Sequence, residues 1–154
     1  PAFYLPSVLA SSNDLDSFRK TGQRRDLNRE KFEANQLLDV LKNFDSPASK
    51  NISYLTHIVK VRSRLKAFHP EASMKCISTN IANCIILQRG LDEDSVYVIC
   101  NMSSKFLSIS PLNQINSLEL TPEKRLLDNI TGSYFNTDTF KLNPYQVVWL
   151  TLAD

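Results

Sequence analysis

The sequence predicts an α+β fold, with mixed α/β character over residues 1–70 and short antiparallel strands over 71–154. Two patterns carry that expectation. The first is residues 51–68, NISYLTHIVKVRSRLKAF, where Ile52, Tyr54, Leu55, Ile58, Val59, Val61, Leu65 and Phe68 fill one arc of a helical wheel. Ser53, Thr56, His57, Lys60, Ser63 and Arg64 fill the rest. The arc covers roughly half the circumference, wider than the ~100° stripe that serves a single core, so this helix is expected to pack between two different partners. The second pattern follows Pro70, where short runs rich in Ile, Val, Cys and Leu recur at intervals of about ten residues, as in an antiparallel sandwich or curled sheet. A chain of 154 residues suits one medium domain or two small pieces sharing a core.

Taken in order, residues 2–10 (AFYLPSVLA) read as a strand, closed by the polar cluster Ser11-Ser12-Asn13-Asp14. A loop continues to Arg29 through Gly22, Gln23, Arg24 and Arg25, with Asp14 able to cap a helical turn reaching Phe18. Its length exceeds the ~4–6 residue median, and loops of that length are usually functional or disordered. A helix is expected from Arg29 or Glu30 to Phe44, with Phe32, Leu37, Leu38, Leu41 and Phe44 on its apolar side and Asp45-Ser46-Pro47 as its stop. The central helix runs from about residue 48 to Phe68 and ends at His69-Pro70, because proline disfavours the α region for the residue before it. Strands are expected at 74–79, 84–88, 95–101, 106–109, 117–120, 125–129, 139–142 and 145–152, the last holding the single tryptophan, Trp149. There is no internal repeat and no low-complexity segment.

Composition narrows the function classes. The chain is 42% apolar and 22% charged, ordinary values for a soluble globular protein. A net charge of +2 argues against nucleic acid, so a reading of Arg24, Arg25 and Arg29 as a nucleic-acid patch is disfavoured. No apolar run approaches the ~18 residues of a membrane span, and no secretory leader is evident. Cys76, Cys84 and Cys100 fall in expected strands and read as reduced, small apolar core residues, which fits a cytoplasmic location. Sequons at Asn51, Asn101 and Asn129 read as chance matches. The chain opens on Pro1 and passes at once into an apolar run, which leads us to expect a fragment whose start lies upstream.

The candidate chemistry is sparse. Arg24 and Arg25 stand in a glycine-containing loop beyond a strand end, and guanidinium forks suit phosphate and carboxylate, although a solvated loop with one arginine paired to an acid is the plainer reading. Asn13 and Asp14 either reach a ligand or cap the next turn, and composition favours capping. His57 lies on the polar side of a helix and His69 in a helix stop, neither with a nearby nucleophile or acid in sequence. Asp92-Glu93-Asp94 reads as a solvated turn. Tyr145 and Trp149 share a strand face with Val147, as a core or, less well, as a sugar-stacking platform of a non-catalytic carbohydrate-binding or interaction module. No metal-ligand spacing, Walker loop, dinucleotide fingerprint or nucleophile elbow is present.

Four segments together resemble one family. PAFYLPSVLASSND at 1–14 is similar to the last barrel strand of the sucrose phosphorylase-like members of the α-amylase superfamily, of the form P-x-x-Y-x-x-S-L-L-G-S-R-N-D. TGQRRDLNREKF at 21–32 resembles their following basic loop, LKAFHPEAS at 65–73 their helix end, and LNPYQVVWL at 142–150 their closing L-x-P-Y-Q-x-x-W-L. The resemblance implies the last strand, loop and helices of a (β/α)8 barrel over 1–70, followed by a small antiparallel, β-sandwich-like C-terminal domain. It places the loop after the strand at the mouth of the barrel, where active sites lie.

On that resemblance Arg25 aligns with the arginine that holds acceptor sugar or phosphate, and Asn13 and Asp14 flank the site. The activity implied is that of a retaining glycoside phosphorylase acting on sucrose or glucosylglycerate. An aspartate attacks the anomeric carbon, a glutamate protonates the leaving alcohol, and phosphate takes the place of water in the second displacement. Those acids belong to earlier barrel strands, so this chain is expected to carry no catalytic residue and to be inactive alone. The implied partners are sugar, inorganic phosphate and the remainder of the barrel, with no cofactor, metal, nucleic acid or membrane. The family's Gly and Arg in L-G-S-R-N-D become Ala10 and Ser12 here.

Overall fold

A computed structural model describes residues 2–28, 30–115 and 120–153. The chain divides into two compact units, Pro1–Val59 and Lys60–Asp154.

The first unit is helical. Residues expected as a strand instead hold one helical turn, α1 (Leu5–Val8), with Pro6 in its first positions, where its missing N–H costs nothing. A strand needs partners on its flanks for its N–H and C=O groups. No described strand lies before Met74, so this backbone satisfies itself locally, Val8 N donating to Tyr4 O and Leu9 N to Leu5 O. Ala10 then takes φ 51°, a left-handed conformation that glycine holds without strain. It stands where the resembling sequences carry glycine.

Helix α2 (Leu15–Thr21) starts on Asp14 and ends on Gly22, which has φ 67° and donates its N–H to Phe18 O. A 3₁₀ helix spans Arg24–Asn28. Helix α3 (Ala34–Lys42) begins about four residues later than its apolar pattern implies, because Asn28, the nearest capping residue, is already used inside the 3₁₀ turn and Glu33 is extended. The alternative start at Arg29 lies outside the described residues. Helix α4 (Pro47–Arg64) is the central helix, with proline at its first position. Ser46 Oγ accepts from Ser49 N and donates to Val40 O, securing the junction. Its apolar arc exists but is only half-buried at Ile52, Leu55, Ile58, Val59 and Val61, while Tyr54 stays exposed.

The second unit includes the end of that helix and all the strands. Past Arg64 the chain turns extended at Leu65 and forms a 3₁₀ turn over Lys66–Phe68 before the expected stop at His69-Pro70. Arg62 donates to Phe68 O, and Arg89 donates to Ala67 O and His69 O, which ties the turn down. The strands are β1 (Met74–Ile77), β2 (Cys84–Arg89), β3 (Val96–Asn101), β4 (Leu107–Ile109), β5 (Arg125–Asp128), β6 (Tyr134–Asn136), β7 (Phe140–Leu142) and β8 (Val147–Leu152). Six form an antiparallel sheet in the order β1-β2-β3-β8-β5-β6, and β4 pairs with β7.

The register Ile86↔Ile99↔Val148 sets one side chain from each central strand on the same face. That face, with Tyr97, Leu126 and Leu150, closes a buried core with Ile109, Leu142, Phe140 and Ile115 from the β4–β7 side. The antiparallel, sandwich-like arrangement expected from the pattern is therefore present. The opposite face is half-buried, with Trp149 packed on Phe68 at 4.6 Å between ring centroids.

Two elements were not legible: β6 and the single turn α5 (Pro111–Gln114). The strand expected at 117–120 lies outside the described residues except for Leu120, which packs against the core without strand structure. Nor are all three cysteines core residues. Cys76 is exposed on edge strand β1, whereas Cys84 and Cys100 are half-buried, and burial pushes both of those thiols up. Among the described residues, no helix is long and apolar enough to cross a membrane.

Candidate functional site

The structure folds the polar cluster 11–14 and the basic loop onto one another within the first unit. Asp14 is the hinge of this arrangement. Its Oδ1 accepts from Ser17 N at 2.8 Å and its Oδ2 from Ser17 Oγ at 2.6 Å, which caps α2. These bonds, the Ser17 hydroxyl first, hold the carboxyl below its ordinary range. Asp14 N in turn donates to Leu27 O at 2.8 Å, so the cap is joined to the 3₁₀ turn that carries Arg25. Composition favoured capping for Asp14, and its carboxylate is used that way.

Two further clamps fix the loop. Thr21 Oγ1 donates to Asp26 Oδ2 at 2.6 Å across the Gly22 corner. Tyr4 OH donates to Asn28 O at 2.7 Å and holds the far end. Between them, Arg25 stays largely solvent-facing, with its Nε 4.0 Å from Asp26 Oδ1. That is a loose pairing at the limit of an ion pair, and it leaves most of the guanidinium fork open to an anion. Sequence reasoning missed Tyr4 and Thr21, because a clamp through a backbone carbonyl or one hydroxyl leaves no pattern.

Asn13 faces two cavities. One of about 300 Å³ is lined by Tyr4, Pro6, Ser7, Ser11, Ser12, Asn13 and Asn28, a mostly neutral set of hydroxyls and amides. The other, about 460 Å³, adds Asp14, Asp16, Arg19, Glu30 and Lys31 and is strongly charged. Arg25 lines neither. Hence Asn13 and Asp14 meet around one cavity, and the turn that carries Arg25 is linked to Asp14 through the Asp14 N–Leu27 O hydrogen bond.

The remaining candidates behave as structural or solvated groups. Asp92–Asp94 forms an exposed 3₁₀ turn, with Lys66 Nζ 3.4 Å from Asp94 Oδ2. His69 Nδ1 accepts from Glu71 N in the turn, and His57 is exposed on α4. Tyr145 is exposed with φ 57° and precedes β8 rather than lying in it, so it does not share a strand face with Trp149. Two sequons are committed internally. Asn101 Nδ2 donates to Lys105 O and Asn143 O, and Asn129 Nδ2 donates to Trp149 O. Among the described residues, no three His, Cys, Asp or Glu side chains are placed to hold a metal ion.

No family model matches the chain. Against individual proteins, it is 29% identical over 151 residues to a glucosylglycerate phosphorylase of Allomeiothermus silvanus, matching 97% of this chain and 24% of the relative. The similarity is to proteins named glucosylglycerate phosphorylase. The protein of that name from Escherichia coli is 24% identical over 152 residues, again matching 97% of this chain and 25% of its own length. The chain thus spans about a quarter of the length of these relatives.

Solved structures agree at the level of the fold. An Anoxybacillus α-amylase superposes with a TM-score of 0.55 at 17% identity, over 72% of this chain and 24% of the amylase. A maltooligosyl trehalose synthase does so with 0.54 at 19% identity, over 82% of this chain and 17% of the enzyme. The resemblance to glycoside phosphorylases read from four short motifs thus extends over nearly the whole sequence, and the solved structures share its fold.

Proposed function

We propose that this chain forms the C-terminal part of a retaining glycoside phosphorylase, which transfers a glucosyl unit from a glucoside to inorganic phosphate and yields glucose 1-phosphate. The observation that carries the proposal is the match over 97% of the chain to a glucosylglycerate phosphorylase. The names of the relatives favour glucosylglycerate over sucrose as the glucoside. In this reading residues 1–70 belong to the end of the barrel and 71–154 are its C-terminal β domain. The nucleophilic aspartate and the acid/base glutamate are supplied by the rest of the enzyme.

The role of this chain is to hold the anion. In the second displacement, phosphate must approach a site already rich in carboxylates, which repel it unless a fixed cation offsets them. Arg25 answers that need: its loop is clamped by Tyr4, Thr21 and Asp14 N, while its guanidinium has one loose neighbour. Asn13, on the neutral cavity, is suited to sugar hydroxyls, and Asp14 supports the loop as the cap of α2. The three cysteines, none of them paired, suit a reducing cytoplasmic compartment.

Two measurements test the proposal. The chain alone, mixed with glucosylglycerate or sucrose and phosphate, releases no glucose 1-phosphate, and genuine turnover would overturn the reading. In a complete enzyme carrying this chain, Arg25→Ala raises KM for phosphate by about tenfold or more, the loss of one charge-assisted contact. Unchanged phosphate kinetics would remove Arg25 from the site.

A further inference from the structure

The β domain carries a second concave surface that the phosphorylase reading does not use. A cleft of about 320 Å³ opens beside edge strand β6, lined by Glu123, Lys124, Arg125, Tyr134 and Ala153. Tyr134 is 54% exposed, although its register partner Leu127 is half-buried. The Arg125 guanidinium lies 5.4 Å from the centre of its ring. We infer that this cleft is a pyranoside-binding site, in which the sugar stacks on Tyr134 and its vicinal hydroxyls meet Arg125 and Glu123.

The chemistry of the lining selects that ligand. A pyranoside presents a C–H face, apolar and slightly positive, which suits the negative face of an aromatic ring. Its adjacent hydroxyls match planar groups with paired atoms, a guanidinium fork on one side and a carboxylate on the other. Glu123 keeps its carboxylate ionised, since the Thr121 hydroxyl holds it below its ordinary range. A free anion is the poorer fit: the acid sits among the two cations, and the aromatic wall offers an anion nothing.

The walls are also fixed. The buried Thr137 hydroxyl donates to Thr121 O at 2.8 Å and to Lys124 O at 3.4 Å, which anchors the approach to β5. Ala153 N donates to Arg125 O at 2.9 Å and anchors the other side. This inference does not rest on the phosphorylase reading, because it requires only the β domain.

Titration of the full chain with maltose, followed by NMR and calorimetry, tests it. Saturable binding with resonance shifts at Tyr134 is expected. Tyr134→Ala should weaken it about tenfold, Tyr134→Phe should stay within about twofold, and Arg125→Ala should weaken it about fivefold. Native Trp149 fluorescence certifies each variant, and Arg125→Ala carries the test if Tyr134→Ala does not fold. No binding of maltose by the unaltered chain, equal binding by a folded Tyr134→Ala or, failing that, by Arg125→Ala, or saturation by inorganic phosphate without maltose would each overturn the inference.

Discussion

Asp128 is fully buried, and its carboxylate is held by three donors. Trp149 N reaches Oδ1 at 2.9 Å, Ile130 N reaches the same oxygen at 3.2 Å, and Thr131 Oγ1 meets Oδ2 at 2.7 Å. One acid thus closes the β5–β6 hairpin and fixes it to β8. Asp128→Ala leaves buried donors without acceptors and should cost about 3 kcal/mol, whereas Asp128→Asn keeps one acceptor oxygen and should cost about 1 kcal/mol. Urea unfolding followed by Trp149 fluorescence measures both, and equal losses would show that the acceptors do not matter. The sequence held no sign of this role, because Asp128 sat in an expected strand where a buried acid has no pattern of its own. Arg25 was read more easily: a basic pair beyond a glycine is visible, while the hydrogen bonds that aim it are not.

At the scale of elements, legibility followed the length and period of each pattern. Strands β2, β3 and β8, six residues each, were readable because apolar runs of that length between turn residues have few alternatives. The three-residue β6 was not, since Tyr134–Asn136 acquires its strand structure only by pairing with β5. The strand expected over 2–10 failed for a related reason: an apolar run of that length becomes a strand only beside other strands, and it formed α1 instead. Helix α2 shows a local rule succeeding. Its cap rests on an ionised Asp14 whose carboxyl is held below the usual 3.8 by Ser17. A depressed carboxylate stabilises the helix fully above its unfolded value and loses that contribution as pH falls through the folded one. The Cα shifts of Leu15–Thr21 should therefore titrate with a midpoint below 3.8. Asp14→Ala should abolish that titration, and its persistence would assign the pH response elsewhere.

Across the whole molecule, burial is unevenly divided. Among the described residues of the first unit, only Leu9, Ala48 and Ser49 are buried. The second unit holds the entire cluster of Ile86, Tyr97, Ile99, Ile109, Ile115, Leu126, Phe140, Leu142, Val148 and Leu150. Each fully buried side chain of this kind contributes about 1.5–3 kcal/mol, and a unit without such a cluster has little to set against the entropy of ordering its backbone. The two units should therefore unfold in separate steps, in keeping with local stability following buried apolar contacts. Circular dichroism at the helical band reports chiefly on the first unit, which holds α1 to α3 and most of α4. Trp149, packed on Phe68, reports on the second. In a urea titration the helical signal should fall at a lower midpoint than the tryptophan signal, and Asp128→Ala should move only the latter. Coincident transitions by both probes, shifted together by that substitution, would mean that the chain unfolds as one cooperative body and that the helices draw stability from beyond their own unit.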